Sequence, residues 1–326
     1  MKIKIFAASF AILVTSIAPS HAAQDHECKG VYDSGAAQEQ FIDSHCQGGY
    51  LLVDSSIKVA IPQEGNLLKV DWIKKTSEGF SDFELELDHS GTAIFASTKS
   101  PELVKSSTLA SVGTSLLPSS VDHACSNNSN SKDPNFVRRG EIQWWYNSTG
   151  EPSSLSIYRI GAGFNTWKNQ TNRCNVPQFT SILSTKYMGR TSNPEAMNGN
   201  PPTSDTICGS STVFDGLNVI GWGLLPPNIV GYTCWTKNLS QLATETDIRF
   251  AQNENWWTNE TTSGCTNAFD LGDLATHEIG HMIGLGHADD FSSQVMEANA
   301  YLCNFRNRQL GQGDMTSLAN LYKVVH

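Results

Sequence analysis

Residues 274–290 read LATHEIGHMIGLGHADD, which places His277, Glu278, His281, Gly284 and His287 within eleven positions of a chain that holds only nine histidines. Residues four apart on a helix share a face, one turn apart. His277 and His281 therefore offer two imidazole nitrogens to one metal ion. Glu278 points to one side, where it reaches a metal-bound water rather than the metal. Gly284 ends the helix, because glycine accepts the positive φ that a terminating turn commonly needs. The chain beyond the turn brings back His287 as a third ligand. Three protein ligands with an open fourth position describe a catalytic zinc site rather than a closed structural one. Zinc lowers the pKa of bound water and polarises a scissile carbonyl. Glu278 takes the water's proton and passes it to the leaving amine. HExxH alone also occurs in helices unrelated to metal, but Gly284 and His287 at set distances make chance a poor explanation.

The remaining composition agrees with an exported globular protein. Residues 1–22, MKIKIFAASFAILVTSIAPSHA, place two lysines before an apolar run too short to span a bilayer, with small residues at the end. This is the pattern of a secretory signal peptide, and it implies an extracellular or periplasmic product. After its removal, 20 basic residues face 32 acidic ones, a net charge of −12. That balance, without any Lys/Arg-rich run, argues against nucleic acid as a partner. No later stretch is long enough for a transmembrane helix, so no membrane partner is expected after cleavage. All eight cysteines follow residue 22, and an even count in an exported chain predicts disulfides. None forms a CxxC pair.

Two textures divide the chain. Residues 23–124 alternate in strand fashion at YLLVDSSIKVAI, NLLKVDWIKK, FELELD and TAIFAS, which predicts a small antiparallel β unit. Residues 125–135, beginning CSNNSNSKDP, are polar and closed by proline, and predict a linker. Residues 136–326 form the second unit. There GEIQWWYN, FTSIL, LNVIGWG, NIVGYTCW and TDIRFA read as strands. SSLSIYRIGAGFNTWKN reads as a helix through Ile157, Ile160, Phe164 and Trp167. LGDLATHEIGHMIG is a second helix, capped by Asp270 or Asp273, and QGDMTSLANLYKV is a third. The expected class is α+β.

HEIGHMIGLGH resembles the HExxHxxGxxH motif of the metzincin metallopeptidases, and the second unit is most similar to the matrixins, in particular to their secreted bacterial relatives. Further likeness lies in FNTW, TDIRFAQNENWWT, FDLGDLATHEIGH and FRNRQLGQGDMTSLANLY. The resemblance implies a metzincin-type catalytic domain, a twisted mixed sheet with an active-site helix and a C-terminal helix. It implies one catalytic zinc, with Met296 as the methionine turn beneath it. It also implies endopeptidase activity on extended protein or peptide substrates, which would pair with NIVGYTCW as an edge strand. Ala288 stands where matrixins usually have serine. Ala298, two residues after the methionine, stands where they often have proline and where other metzincins place a tyrosine ligand. Asp215 or Asp247 are carboxylate candidates for calcium, with no loop motif in support.

Latency in such enzymes often rests on a propeptide cysteine that blocks the zinc. Cys28, Cys46 and Cys125 are candidates here, yet no segment matches the usual motif. The five cysteines of the second unit are an odd number, so a fully paired set ties one of them to the N-terminal half. Arg138-Arg139 reads either as a processing point or as two solvated side chains. Residues 23–124 are a propeptide or a permanent module. Two other functional readings stay open: a different metzincin, pappalysin- or astacin-like, or a secreted binding protein with a non-catalytic zinc site. The intact Glu278 weighs against the last. Oligomeric state is not legible.

Overall fold

A computed structural model of the chain describes residues 27–32, 50–53, 57–60, 66–76, 79–87, 93–99, 123–129, 138, 140–195, 206–208, 215–226, 228–238, 243–289, 292–297 and 299–325. The signal segment, Arg139, Asp290 and Ala298 lie outside these residues. The first part contributes strands β1 (Glu27–Tyr32), β2 (Tyr50–Val53), β3 (Ile57–Ala60), β4 (Asn66–Thr76), β5 (Gly79–Leu87) and β6 (Ala93–Lys99). Helix α1 (His123–Ser126) and β7 (Glu141–Tyr146) follow. Next come α2 (Ser156–Lys168), β8 (Ser184–Arg190), β9 (Thr206–Ile207), β10 (Val219–Gly223), β11 (Ile229–Asn238) and β12 (Ala243–Ala251). Strands β13 (Trp256–Trp257) and β14 (Phe269–Asp270) lead into α3 (Leu271–Met282), and α4 (Gln312–Tyr322) closes the order.

The main sheet has eight strands in the order β6-β5-β4-β11-β12-β10-β7-β8. Its β12, β10, β7 and β8 are mutually parallel, while β11 runs antiparallel to β12. The mixed sheet with few helices agrees with the α+β expectation. A smaller sheet, β1-β2-β3-β9, takes its last strand from the later half of the chain.

Strands from the two halves of the chain share both of these sheets. Strand β4 pairs antiparallel with β11 from Ile229↔Lys74 to Asn238↔Asn66, so the N-terminal strands extend the sheet of the second half. An uncovered strand edge is a row of unpaired backbone groups, and β4 satisfies that row on β11. Residues 125–129, expected as the start of the linker, instead complete α1 and continue into a hydrogen-bonded tail. The Gln294 side-chain amide donates to the carbonyls of Ala124 and Asn127 at 3.0 and 3.2 Å. The amide of Asp289 donates to Ser129 Oγ at 2.8 Å. The FTSIL run is not a strand of the main sheet, since β8 begins at Ser184. Its backbone is held locally: Phe179 N donates to Gln170 Oε1, and Ile182 N donates to the carbonyl of Tyr322.

Helix α3 explains where the core sits. All twelve of its residues are buried, which requires neighbours on every side. The sheet covers one side and α2 the other, where Trp167 Nε1 donates to the carbonyl of Thr276 at 2.7 Å. Asp270 caps the helix by accepting from Asp273 N at 2.7 Å, as one of the two sequence alternatives required.

Candidate metal centre

The three histidines converge. Ligand nitrogens of His277, His281 and His287 all lie within 4.8 Å of one another, and all three residues are buried. The Nε2 atoms of His277 and His281 face each other at 3.0 Å. Their Nδ1 atoms meet the carbonyl oxygens of Val295 at 2.7 Å and Leu285 at 2.8 Å. A carbonyl only accepts, so both Nδ1 atoms carry their protons and both Nε2 atoms present lone pairs. Two lone pairs at that separation are compatible only with a positive centre shared between them. Two neutral imidazoles oriented by backbone acceptors, with His287 beside them, are a donor set suited to zinc. Burial, followed by the fields of His287 and His277, holds the His281 pKa well below the ordinary histidine value, so the ring is neutral and able to ligate.

The local chain geometry produces this convergence. Gly284 has φ +99°, its amide donates to the carbonyl of His281, and Leu285 N donates to the carbonyl of Gly280. These two bonds form a Schellman turn, which ends α3 and redirects the chain so that His287 returns. Ala288 N then donates to the carbonyl of Met296, tying the segment after the third histidine to the methionine. Met296 is buried directly under α3: a Cβ on Gly280 would lie 2.2 Å from its sulfur, so glycine is needed there for close approach. Gly284 thus stands at the end of α3, and Met296 packs against Gly280 beneath it.

Glu278 is buried and hydrogen-bonded by the Thr233 hydroxyl of β11. Trp235 of the same strand stacks on the His281 ring, with centroids 6.0 Å apart. The side chain of Glu278 therefore lies on the sheet side of the histidines.

Several residues that hold the centre were not singled out from sequence. Asp314, near the start of α4, accepts from Val295 N at 2.8 Å, Met296 N at 3.2 Å and Gly311 N at 2.7 Å. It fixes both the methionine turn and the carbonyl that orients His277. An aspartate in the first turn of a helix reads as an ordinary dipole partner, so sequence pattern alone does not reveal that task.

Other expectations are corrected. Arg138 is not solvated: it is buried and donates to Asn218 Oδ1 and Thr246 Oγ1 at 2.5 and 2.9 Å. Burial lowers its pKa to about 10. Of the calcium candidates, Asp215 accepts from Leu217 N and Asp247 from Val219 N. Among the described residues the three histidines are the one group able to hold a metal. Disulfides join Cys125–Cys174, Cys208–Cys234 and Cys265–Cys303. Cys125 is therefore tied to the second half and is no zinc-blocking thiol. The side chains of Cys28 and Cys46 lie outside the described residues.

Comparison with known proteins agrees with this geometry. Residues 235–323 match the family model of the M10 peptidases, matrixin. The match runs from β11 through all three histidines, Met296 and α4. Metalloendoproteinase 1 of Glycine max is 38% identical over 64 residues, which are 20% of this chain and 20% of that protein. The chain thus aligns with about a fifth of the length of that curated relative. Both similarities support a matrixin-like zinc metalloendopeptidase in general terms.

Proposed function

We propose that the protein is a secreted zinc endopeptidase that hydrolyses peptide bonds of extended protein substrates. The observation that carries this reading is the convergence of three buried histidines on one point, two of them oriented by backbone carbonyls, with a buried carboxylate beside them. A bound zinc supplies a polarised water and a Lewis acid for the scissile carbonyl. His277, His281 and His287 are the residues that would hold it. Glu278, steadied by the Thr233 hydroxyl, takes a proton at its carboxylate and returns it to the leaving amine. Thr233 keeps that carboxylate aimed at the space beside the histidines. The signal-like leader and the three disulfides favour export.

A non-catalytic zinc protein is the reading from another class, and it gives no task to a buried glutamate next to the ligands. Hydrolysis of a protein substrate by purified mature chain, by its Glu278→Ala variant, and by both with a zinc chelator separates the two. The proposal expects activity in the parent alone, abolished by chelation and lowered roughly 10²–10⁴-fold by the substitution. Equal activity in parent and variant, or activity untouched by the chelator, would sink it.

A further inference from the structure

Strand β4 lies across the metal centre, and its side chains are placed as those of a bound peptide would be. Residues alternate along a strand, so Lys69, Asp71 and Ile73 share the face turned toward α3. Each meets the site. The Lys69 ammonium lies 4.9 Å over the ring of Trp235, which itself stacks on His281. Asp71 Oδ2 is 3.3 Å from His281 Nδ1. Ile73 lines a pocket beside His277 together with Leu274, Val295, Glu297, Asn299 and Ala300. All three β4 side chains are buried, with exposures of 1%, 1% and 3%. Backbone pairing sets the same register, with Trp235↔Lys69, Thr233↔Asp71 and Gly231↔Ile73.

The other edge of β11 belongs to β12, so β4 takes the edge that an extended substrate would need for strand addition. The histidines and Glu278 are buried beneath it, at 8% exposure or less. We propose that residues 69–73 of β4 are an internal occupant of the substrate cleft, seated on the β11 edge with Ile73 against the pocket beside His277. This inference rests on the peptidase reading of the site. The arrangement is a closed form, and a substrate enters only when β4 leaves that edge. No cysteine takes part. The block is made by main-chain pairing and by the apolar and charged side chains of one strand face.

A tethered strand competes at an effective concentration near millimolar, so weaker peptides are excluded without any change in the cleft itself. Apparent affinity for an added peptide is divided by the fraction of molecules with β4 displaced. The test uses the full chain carrying Glu278→Ala, so that binding is read without hydrolysis. The probe is a fluorescein-labelled peptide of residues 66–76, NLLKVDWIKKT, followed by anisotropy. Adding Ile73→Asp to the protein places a carboxylate among Leu274, Val295 and Glu297 and weakens the internal strand. The expected result is a gain in peptide affinity of ~10-fold or more. A peptide carrying the same Ile73→Asp change should not bind. Should Ile73→Asp prevent folding, Ile73→Ala gives the same reading, accompanied by faster hydrogen exchange at residues 229–238. Equal peptide binding with and without the substitution, or none in a folded Ile73 variant, overturns the proposal.

The two readings fail separately. If the probe binds the opened protein but the Glu278-containing Ile73 variant cleaves nothing, the cleft occupancy stands and the peptidase assignment falls. If parent and Ile73 variant hydrolyse protein at the same rate and no binding is gained, the peptidase stands and the occupancy falls.

Discussion

The two faces of the β4–β11 pair are equally buried and chemically unlike. On one face Leu68, Val70 and Trp72 of β4 join Tyr232 and Cys234 of β11 in an apolar cluster with Val59, Leu85 and Ile207. On the other face Lys69 and Asp71 of β4 and Thr233 and Trp235 of β11 lie over the histidines of α3. Cohesion of the first face scales with buried area and has no direction. The second face depends on particular atoms at particular distances, because a buried polar group without a partner is costly. One alternating pattern thus joins the strands on one side and furnishes the site on the other. Substitutions on the two faces should fail in different ways.

The largest effect on stability is expected on the apolar face. Trp72→Ala should cost about 3–5 kcal/mol in denaturant unfolding, as for other buried aromatic truncations, while the folded fraction keeps its full zinc content. Loss of zinc in parallel with stability would show that the two faces are not separable. On the side of the metal centre, Asp314→Asn removes one of two oxygens that serve three backbone amides. It should cost about 1–3 kcal/mol and weaken zinc binding roughly 10–100-fold through the methionine turn. Unchanged zinc affinity in a destabilised variant would confine Asp314 to folding.

A pH dependence is expected away from both faces. Glu245 is buried, and desolvation raises its pKa from 4.5 to about 8, with Gly216 N donating to it. The folded state therefore binds this proton more tightly than the unfolded state does. Its contribution is fully present below pH 4.5 and is lost as pH rises through about 8. Glu245→Gln stays neutral, so its thermal stability relative to the parent should increase across that window. A constant difference between the two proteins from pH 4.5 to 8 would contradict the assignment.

How much of this was legible in the sequence differs between the same two regions. Spacing alone placed His277, His281, Gly284, His287 and the α3 cap, because helix period and turn chemistry act within one short segment. Strands β10, β11 and β12 were legible from their apolar runs. The seat of β4 was not. Lys69 and Asp71 alternate with Leu68, Val70 and Trp72, which in sequence reads as a half-exposed strand with its charges in water. Their burial depends on β11, more than 150 positions later, and pairing over that separation leaves no local mark. The Arg138 anchor was hidden for the same reason, since its acceptors Asn218 and Thr246 are distant in the chain. The polar texture of residues 125–135 suggested a free linker, but Gln294 and the Cys125–Cys174 bridge fix its beginning.

The central claim is that three imidazoles form a single metal centre, and zinc stoichiometry tests it most directly. Metal analysis of purified folded protein, beside a folded His287→Ala variant dialysed against the same buffered zinc, requires no substrate. The account predicts one zinc per chain in the parent and strongly reduced retention in the variant. Equal zinc content in the two proteins would remove His287 from the ligand set and contradict the assignment of the site.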